Sequence, residues 1–280
     1  MRIALGIAYD GSGYPGWQTQ PGGQAIQDLL EASLTALAGH TVATVCAGRT
    51  DAGVHALAQV VHFDTTANRP LNAWVRGTNA RLPDRVTVQW AVPVSDDFHA
   101  RFSARSRTYR YLIYCAAVPH PLWRTRAGWA FRPIAIGPMR EAAASLLGEH
   151  DFSAFRSSQC QAASPVRCVE SISLNQRGDF IEVTITANAF LHHMVRNIVG
   201  SLVEVGIGRK PATWLAELLL ARRRELAAPT YSAAGLYFAS VGYEALHGVP
   251  TAILDPLSPS PPQPSVGTDL DGEWTIKRED

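Results

Sequence analysis

Segments with a two-residue hydrophobic period directly follow one another along this chain as often as helical segments separate them. In residues 2–9, Ile3, Leu5 and Ile7 alternate with small residues, which predicts a strand. The same period predicts seven further strands, over residues 42–47, 58–63, 86–94, 108–114, 166–174, 180–187 and 236–243. A doubly wound parallel sheet needs a helix between successive strands, so the pattern predicts an α+β fold with a mixed, mainly antiparallel sheet.

Helical hydrophobic spacing interrupts the strands at five places. The predicted helices cover residues 25–38, 71–81, 139–147, 190–205 and 214–224. Gly39 follows the first of them, where a helix C-terminus is expected. Residues 175–179 separate two alternating segments and predict a hairpin loop longer than two residues.

The predicted elements divide into two similar α/β halves, residues 1–97 and 98–248, with a central cleft between them. Residues 249–280 form a third segment, predicted to be a disordered tail, because it contains the Pro/Ser-rich run PLSPSPPQPS and an acidic remainder. From Asp255 onward six acids stand against two bases, a net charge of −4, which leaves +5 for the residues before it. The small net charge of +1 is therefore the sum of a basic segment before Asp255 and an acidic tail after it.

Membrane and secretory signals are not found in the sequence. Its apolar runs fall short of the roughly 18 residues that a bilayer crossing needs, and the opening MRIALGIAYDG has too short an apolar stretch for a signal peptide. We therefore expect a cytoplasmic protein that does not bind membranes.

Arginine is concentrated in one part of the chain. The stretch between Asp97 and Glu141 contains eight arginines and no acid, interleaved with aromatic residues, and arginine outnumbers lysine 23 to 2 overall. Because guanidinium groups pair with phosphates and stack on bases, this stretch predicts a positively charged, nucleic-acid-binding cleft. A solvated arginine-rich face is the alternative. The candidate RNA-binding residues here are Arg101, Arg105, Arg107 and Arg110.

The segment GRTDAGVHA, residues 48–56, forms a polar turn between two predicted strands. Its carboxylate, Asp51, is flanked by small residues and lies two positions from Arg49, whose charge favours the ionised form. An ionised carboxylate can act as a nucleophile or a base. The alternative is an aspartate that only accepts hydrogen bonds from turn amides.

Five segments resemble the motifs of one family, in that family's order. They are YDGSGYPGWQTQP, GRTDAGVHA followed by QVVHFDT, PVSDDFHARFSARSRTYRYLIY, NAFLHHMVRNIVGSL and APTYSAAGLYFASVGY. They resemble the tRNA pseudouridine synthase A (TruA-type) family, and the resemblance spans roughly residues 2–243. The resemblance implies isomerisation of uridine to pseudouridine at positions 38, 39 and 40 of the tRNA anticodon stem-loop. It further implies a homodimer that needs no cofactor and no metal.

The resemblance also implies roles for individual residues. Asp51 matches the family nucleophile, Tyr109 the tyrosine that stacks on the flipped uracil, Arg196 an arginine that pairs with the nucleophile, and Arg49 a residue that fills the gap left by the flipped base. A base in a stem must leave the stack before it can react, and stacking on an aromatic ring offsets part of that cost. Attack on C1′, addition to C6 and removal of the 2′ proton all remain open as the role of the carboxylate.

Two adjacent histidines lie in the predicted helix over residues 190–205. Side chains adjacent on a helix point to different faces, so His192 and His193 are not expected to hold a metal, and His192 is instead a candidate RNA-binding residue. Arg196 lies among apolar neighbours in the same segment and requires an anion, for which Asp51 is the candidate.

Two other classes of function remain open. One is an RNA-binding protein without catalysis. The other is a metal-dependent nuclease or a glycosidase, with Asp10, Asp51 and Asp64 as ligands or as a carboxylate pair.

Overall fold

A computed structural model describes residues 1–250, and the predicted tail from residue 251 onward lies outside them. Ten strands of these residues join in one sheet. They are β1 (Arg2–Tyr9), β2 (Val45–Cys46), β3 (His55–Asp64), β4 (Val86–Val94), β5 (Ser106–Cys115), β6 (Gly128–Ala130), β7 (Gly148–Asp151), β8 (Val166–Arg177), β9 (Phe180–Ala187) and β10 (Leu236–Gly242). The helices are α1 (Ile26–Ala38), α2 (Leu71–Asn79), α3 (Ile136–Ala144), α4 (Met194–Gly206) and α5 (Trp214–Ala221).

The sheet is mixed and mainly antiparallel, as predicted. Its strand order is β4-β1-β3-β10-β5-β9-β8-β7, with β2 beside β3 and β6 beside β5. Among the described strands, two pairs are parallel: β10 with β3, and β5 with β6. The α+β fold class is therefore confirmed. Within residues 1–250, no helix combines the length and the apolar character that a membrane crossing requires.

Two hydrophobic cores lie along this sheet. The first joins β1 and β3 to α1 and α2, and the second joins β5 and β9 to α3, α4 and α5. Strand β9 buries alternate side chains, because successive side chains point to opposite faces, whereas β1 and β3 are buried along almost their whole length. Phe98 and Ala100 pack in the first core, although they follow the predicted division at residue 97, and that division stays a prediction.

Strand β10 joins the two cores. Leu236 belongs to the second core, whereas Phe238 and Val241 belong to the first. The strand pairs parallel with the start of β3 and antiparallel with β5. It therefore fixes the turn that precedes β3 beside the residues of β5.

Several predicted bounds differ from the structure. The strand predicted over residues 42–47 contracts to Val45–Cys46, α3 covers Ile136–Ala144 instead of residues 139–147, and β6 and β7 have no predicted counterpart.

The hairpin between β8 and β9 has a two-residue turn, because strand pairing continues to Arg177 opposite Phe180, with Gly178 at a φ of 55°. Helix α4 begins at Met194, not at residue 190. Hydrophobic period alone does not mark its start, because Phe190 and Leu191 are apolar but lie outside the helix.

Candidate active site

A cleft of about 1280 Å³ lies where the two cores meet. Its wall includes the turn before β3, part of β5, the residues just before α4 and the start of α4. Asp51 is the only carboxylate among the residues that line it in the described part of the chain. The arginines on the wall are Arg49, Arg101, Arg107, Arg167 and Arg196.

The turn that carries Asp51 is held by the loop that follows β1. Gly16 forms an isolated β-bridge with Asp51, and the Trp17 amide donates to the carbonyl of Thr50 at 3.0 Å. Gly16 has a φ of 111°, and a Cβ there would lie 2.7 Å from the Thr50 carbonyl oxygen. Only glycine fits this close approach, so the YDGSGYPGW segment supports the position of the Asp51 backbone.

The Asp51 side chain, 26% exposed, meets three cationic or hydrogen-bonding side chains. Arg196 Nη1 donates to Oδ2 at 3.2 Å, and this is the ion pair expected from the sequence. His192 Nε2 lies 3.2 Å from Oδ1, and His193 Nε2 lies 3.3 Å from Oδ2. The carboxylate is therefore held in place while part of it stays open to the cleft.

Arg196 is itself anchored by the backbone. Its Nε donates to the Tyr231 carbonyl at 2.8 Å, and the side chain is 15% exposed at the first turn of α4. A guanidinium this far from water requires an anion, and Asp51 provides it. The Tyr231 carbonyl fixes the direction from which the guanidinium approaches.

The interpretation of the two histidines from helical geometry is wrong. They precede α4, and His193 adopts left-handed backbone with a φ of 63°. Both rings therefore turn to the same side, with their centroids 3.9 Å apart. His193 is the site residue whose place the sequence did not reveal, because no residue pattern signals a left-handed histidine before a helix.

The cluster of Asp51, His192 and His193 also matches a possible metal-donor set. One ligand atom from each lies within 4.8 Å of the others, and imidazole with carboxylate suits Zn²⁺. The guanidinium of Arg196, 3.2 Å from Oδ2, opposes a second cation there. That the site needs no metal stays a prediction.

Tyr109 lies between the two cores and lines the cleft. Its ring packs edge-on against Phe190 and Phe238, each with centroids 5.0 Å away. Burial, followed by the nearby Tyr9 and Asp51, raises the pKa of Tyr109 above its usual range, so the hydroxyl keeps its proton. Tyr111, two residues on, is fully buried and is the core member of the pair.

The four candidate arginines of the middle segment do not share one place. Arg101 and Arg107 line the cleft, and Arg107 donates to backbone carbonyls, including that of Asn188 at 2.9 Å. Arg105 pairs with Glu244 and is not among the residues of the cleft wall. Arg110 alternates with Tyr109 on β5, so it lies on the other face of the sheet, 3.9 Å from Glu182.

The carboxylates of the nuclease and glycosidase alternative are not brought together. Asp64 forms a two-point ion pair with Arg2, and Asp10 lies against Ser12 and His55. Neither lines the cleft. Asp64 ends β3 whereas Asp51 precedes its start, and a ten-residue strand spans about 30 Å. A metal site or catalytic carboxylate pair that includes Asp10 or Asp64 is therefore excluded in this cleft.

Comparisons with known proteins agree on one family. The family model described as tRNA pseudouridine synthase matches residues 6–103 and 142–244. A tRNA pseudouridine synthase A of Bordetella petrii is 58% identical over 244 residues, covering 86% of this chain and 91% of that protein. One of Burkholderia mallei is 57% identical over 272 residues, covering 97% and 99%. A solved Cbf5-Nop10-Gar1 complex matches with a TM-score of 0.35 and 13% identity, covering 85% of this chain and 50% of that chain, which is too distant to support an argument.

Proposed function

The chain belongs to the tRNA pseudouridine synthase family, and from this premise we propose that it isomerises uridine to pseudouridine at positions 38, 39 and 40 of the tRNA anticodon stem-loop. One observation carries the proposal. The carboxylate of Asp51, paired with Arg196, lies open in an arginine-lined cleft that also contains Tyr109.

The reaction breaks the bond between C1′ and N1, rotates the uracil and joins C1′ to C5. N1 gains a proton, and the proton on C5 is released to solvent, so the overall change is an isomerisation. Asp51 serves as the nucleophile or base of this sequence, by attack on C1′, addition to C6 or removal of the 2′ proton. Its partly exposed oxygens support such a role, because a nucleotide in the cleft can contact them directly.

The target uridine leaves the stem before it reacts. Flipping costs a few kcal/mol, and stacking on an aromatic ring contributes about 1–3 kcal/mol in return. Tyr109 lines the cleft wall, which supports that stacking role. Because burial raises its pKa, its hydroxyl stays protonated and can donate a hydrogen bond to the nucleotide. Arg49, exposed on the same wall, fills the space that the base leaves.

The cleft binds the RNA backbone through its positive side chains. Arg101 and Arg107 are on the wall with His192, and arginine pairs with phosphate in two-point geometry. Arg105 and Arg110 contact RNA only if the stem extends beyond the cleft. The family resemblance supports the further proposals that the enzyme is a cytoplasmic homodimer and needs no cofactor.

Tritium release tests the activity. Transfer RNA labelled with tritium at C5 of uridine releases the label to water when C5 bonds to C1′. Wild type should therefore release tritium, and Asp51→Asn serves as the inactive control. Nucleoside analysis then identifies pseudouridine in intact RNA. Retained tritium with tight binding indicates an RNA-binding protein. Chain cleavage sensitive to EDTA indicates a nuclease, and free uracil indicates a glycosidase.

A further inference from the structure

The two oxygens of the Asp51 carboxylate have different surroundings. Oδ2 faces both Arg196 Nη1, at 3.2 Å, and His193 Nε2, at 3.3 Å. Oδ1 faces His192 Nε2 at 3.2 Å. Arg196 and His193 are 15% and 25% exposed, whereas His192 is 34% exposed. The donors on Oδ2 therefore lie on the inner side of the carboxylate.

His193 is locked to the start of α4. Its carbonyl accepts the first helical hydrogen bond, from the Asn197 amide at 2.9 Å. Asn197 is fully buried and donates from its side chain to the Phe155 carbonyl at 2.7 Å. The left-handed backbone of His193, with a φ of 63°, is uncommon for a residue with a side chain. This left-handed backbone directs the imidazole of His193 toward Asp51.

We propose that His193 is a positioning residue for the isomerisation, which with Arg196 clamps Oδ2 and thereby presents Oδ1 to the nucleotide. This inference rests on the proposed function. His193 touches neither ribose nor base and acts only through Asp51. His192, on the exposed side, yields its place at Oδ1 when the nucleotide enters.

The charge of the cluster supports this division of roles. Burial lowers the pKa of His193 below its usual range, with Asp51 opposing the shift and His192, Arg196 and Arg224 adding to it. At neutral pH the ring is therefore neutral, and it donates from Nε2 without adding a charge. Arg196 supplies the balancing positive charge.

Variants of His193 separate positioning from folding. His193→Gly and His193→Asn both accept the left-handed backbone, and neither side chain reaches Asp51. His193→Gln has an amide donor of similar reach to Nε2. His120→Ala is the control, because it removes an exposed imidazole that does not line the cleft.

Single-turnover tritium release with saturating enzyme measures the effect. We expect His193→Gly and His193→Asn to lower the rate by about 10–100-fold, the scale of a misplaced reacting group, with tRNA affinity within about threefold. We expect His193→Gln to recover most of the rate and His120→Ala to stay within about threefold of wild type.

The outcomes decide between the alternatives. Wild-type rates in folded His193→Gly and His193→Asn overturn the proposal, and so does a loss in His120→Ala as large as theirs. A His193→Gln rate as low as that of His193→Gly indicates a structural role only and also overturns it. Absence of tritium release from the wild type refutes the proposed function itself, whatever the His193 variants do.

Discussion

Two of the aspartate–histidine contacts among the described residues have the same length but different surroundings. Asp10 Oδ1 lies 3.2 Å from His55 Nδ1, and Asp51 Oδ1 lies 3.2 Å from His192 Nε2. His55 is 3% exposed, whereas His192 is 34% exposed and lines the cleft. Residue types and distances are the same, so the difference in function must come from what else each ring contacts.

Backbone groups occupy both nitrogens of His55. Nδ1 accepts from the Gly11 amide at 3.1 Å, and Nε2 donates to the carbonyls of Thr125 and Ala234 at 2.8 and 3.2 Å. The ring also stacks on Tyr237, with centroids 4.7 Å apart. It thus ties three loops around the site together. His55 is therefore structural, because backbone groups occupy both of its ring nitrogens. His192 contacts the Asp51 side chain in the cleft, where the carboxylate stays open to a substrate.

The largest expected effect separates the two carboxylates. Asp51→Asn keeps the shape of the side chain but removes the anion, so tritium release should fall by at least about a thousandfold. RNA affinity should stay within about tenfold, or about 1.4 kcal/mol, because no positive charge is lost. Asp10→Asn is the matched control and should retain most of the rate. Comparable losses in both variants would remove the functional distinction.

His55→Ala tests the structural side of the comparison. It leaves the Gly11 amide and the carbonyls of Thr125 and Ala234 without their partner and removes a buried ring, so the free energy of unfolding should fall by about 3–5 kcal/mol. Urea unfolding measures the change. His192→Ala should cost less than about 1 kcal/mol, since its ring is partly exposed. Equal costs for the two substitutions would contradict the assignment.

Acid should weaken the fold by protonating its buried histidines. His62, on β3 with His55, accepts from the Ala100 amide, and burial lowers its pKa to about 4. Because the unfolded histidine titrates near 6.5, its contribution is complete above that pH and is lost as pH falls toward 4, by about 3 kcal/mol. Burial lowers the pKa of His55 in the same direction. Urea unfolding measured between pH 7 and pH 4 gives the free energy of unfolding at each pH. This free energy should fall less with decreasing pH in His62→Gln than in wild type, and an equal fall would refute the explanation.

Substitutions of Tyr109 test the cleft while leaving both Asp51 and Asp10 in place. Tyr109→Ala should lose stacking worth about 1–3 kcal/mol, seen as a lower turnover in single-turnover assays. Tyr109→Phe should keep the stacking and lose only the hydroxyl. Tyr111→Phe is the control, because its hydroxyl donates to the Ser232 carbonyl in the core and its loss should lower stability instead of rate. A larger loss of rate in Tyr111→Phe would reverse these assignments.

Much of the fold could be predicted from local pattern. The bounds of β1 and β4 agree with the alternating residues, and Gly39 ends α1 with a φ of 76°. The start of α4 could not be predicted, because apolar residues continue through the irregular segment before it. Alternation also puts Tyr109 and Arg110 on opposite faces of β5, but it does not reveal which face lines the cleft.

The sequence by itself determined the α+β class and the motifs that identify the family, because hydrophobic period and turn residues act between near neighbours in the chain. Only the tertiary structure decided that His193 joins Arg196 on one oxygen of Asp51 and that Arg105 lies outside the cleft. Asp51 and Arg196 are 145 residues apart. Their approach depends on β10 holding β3 beside β5, and so on the packing of the whole sheet rather than on any local pattern.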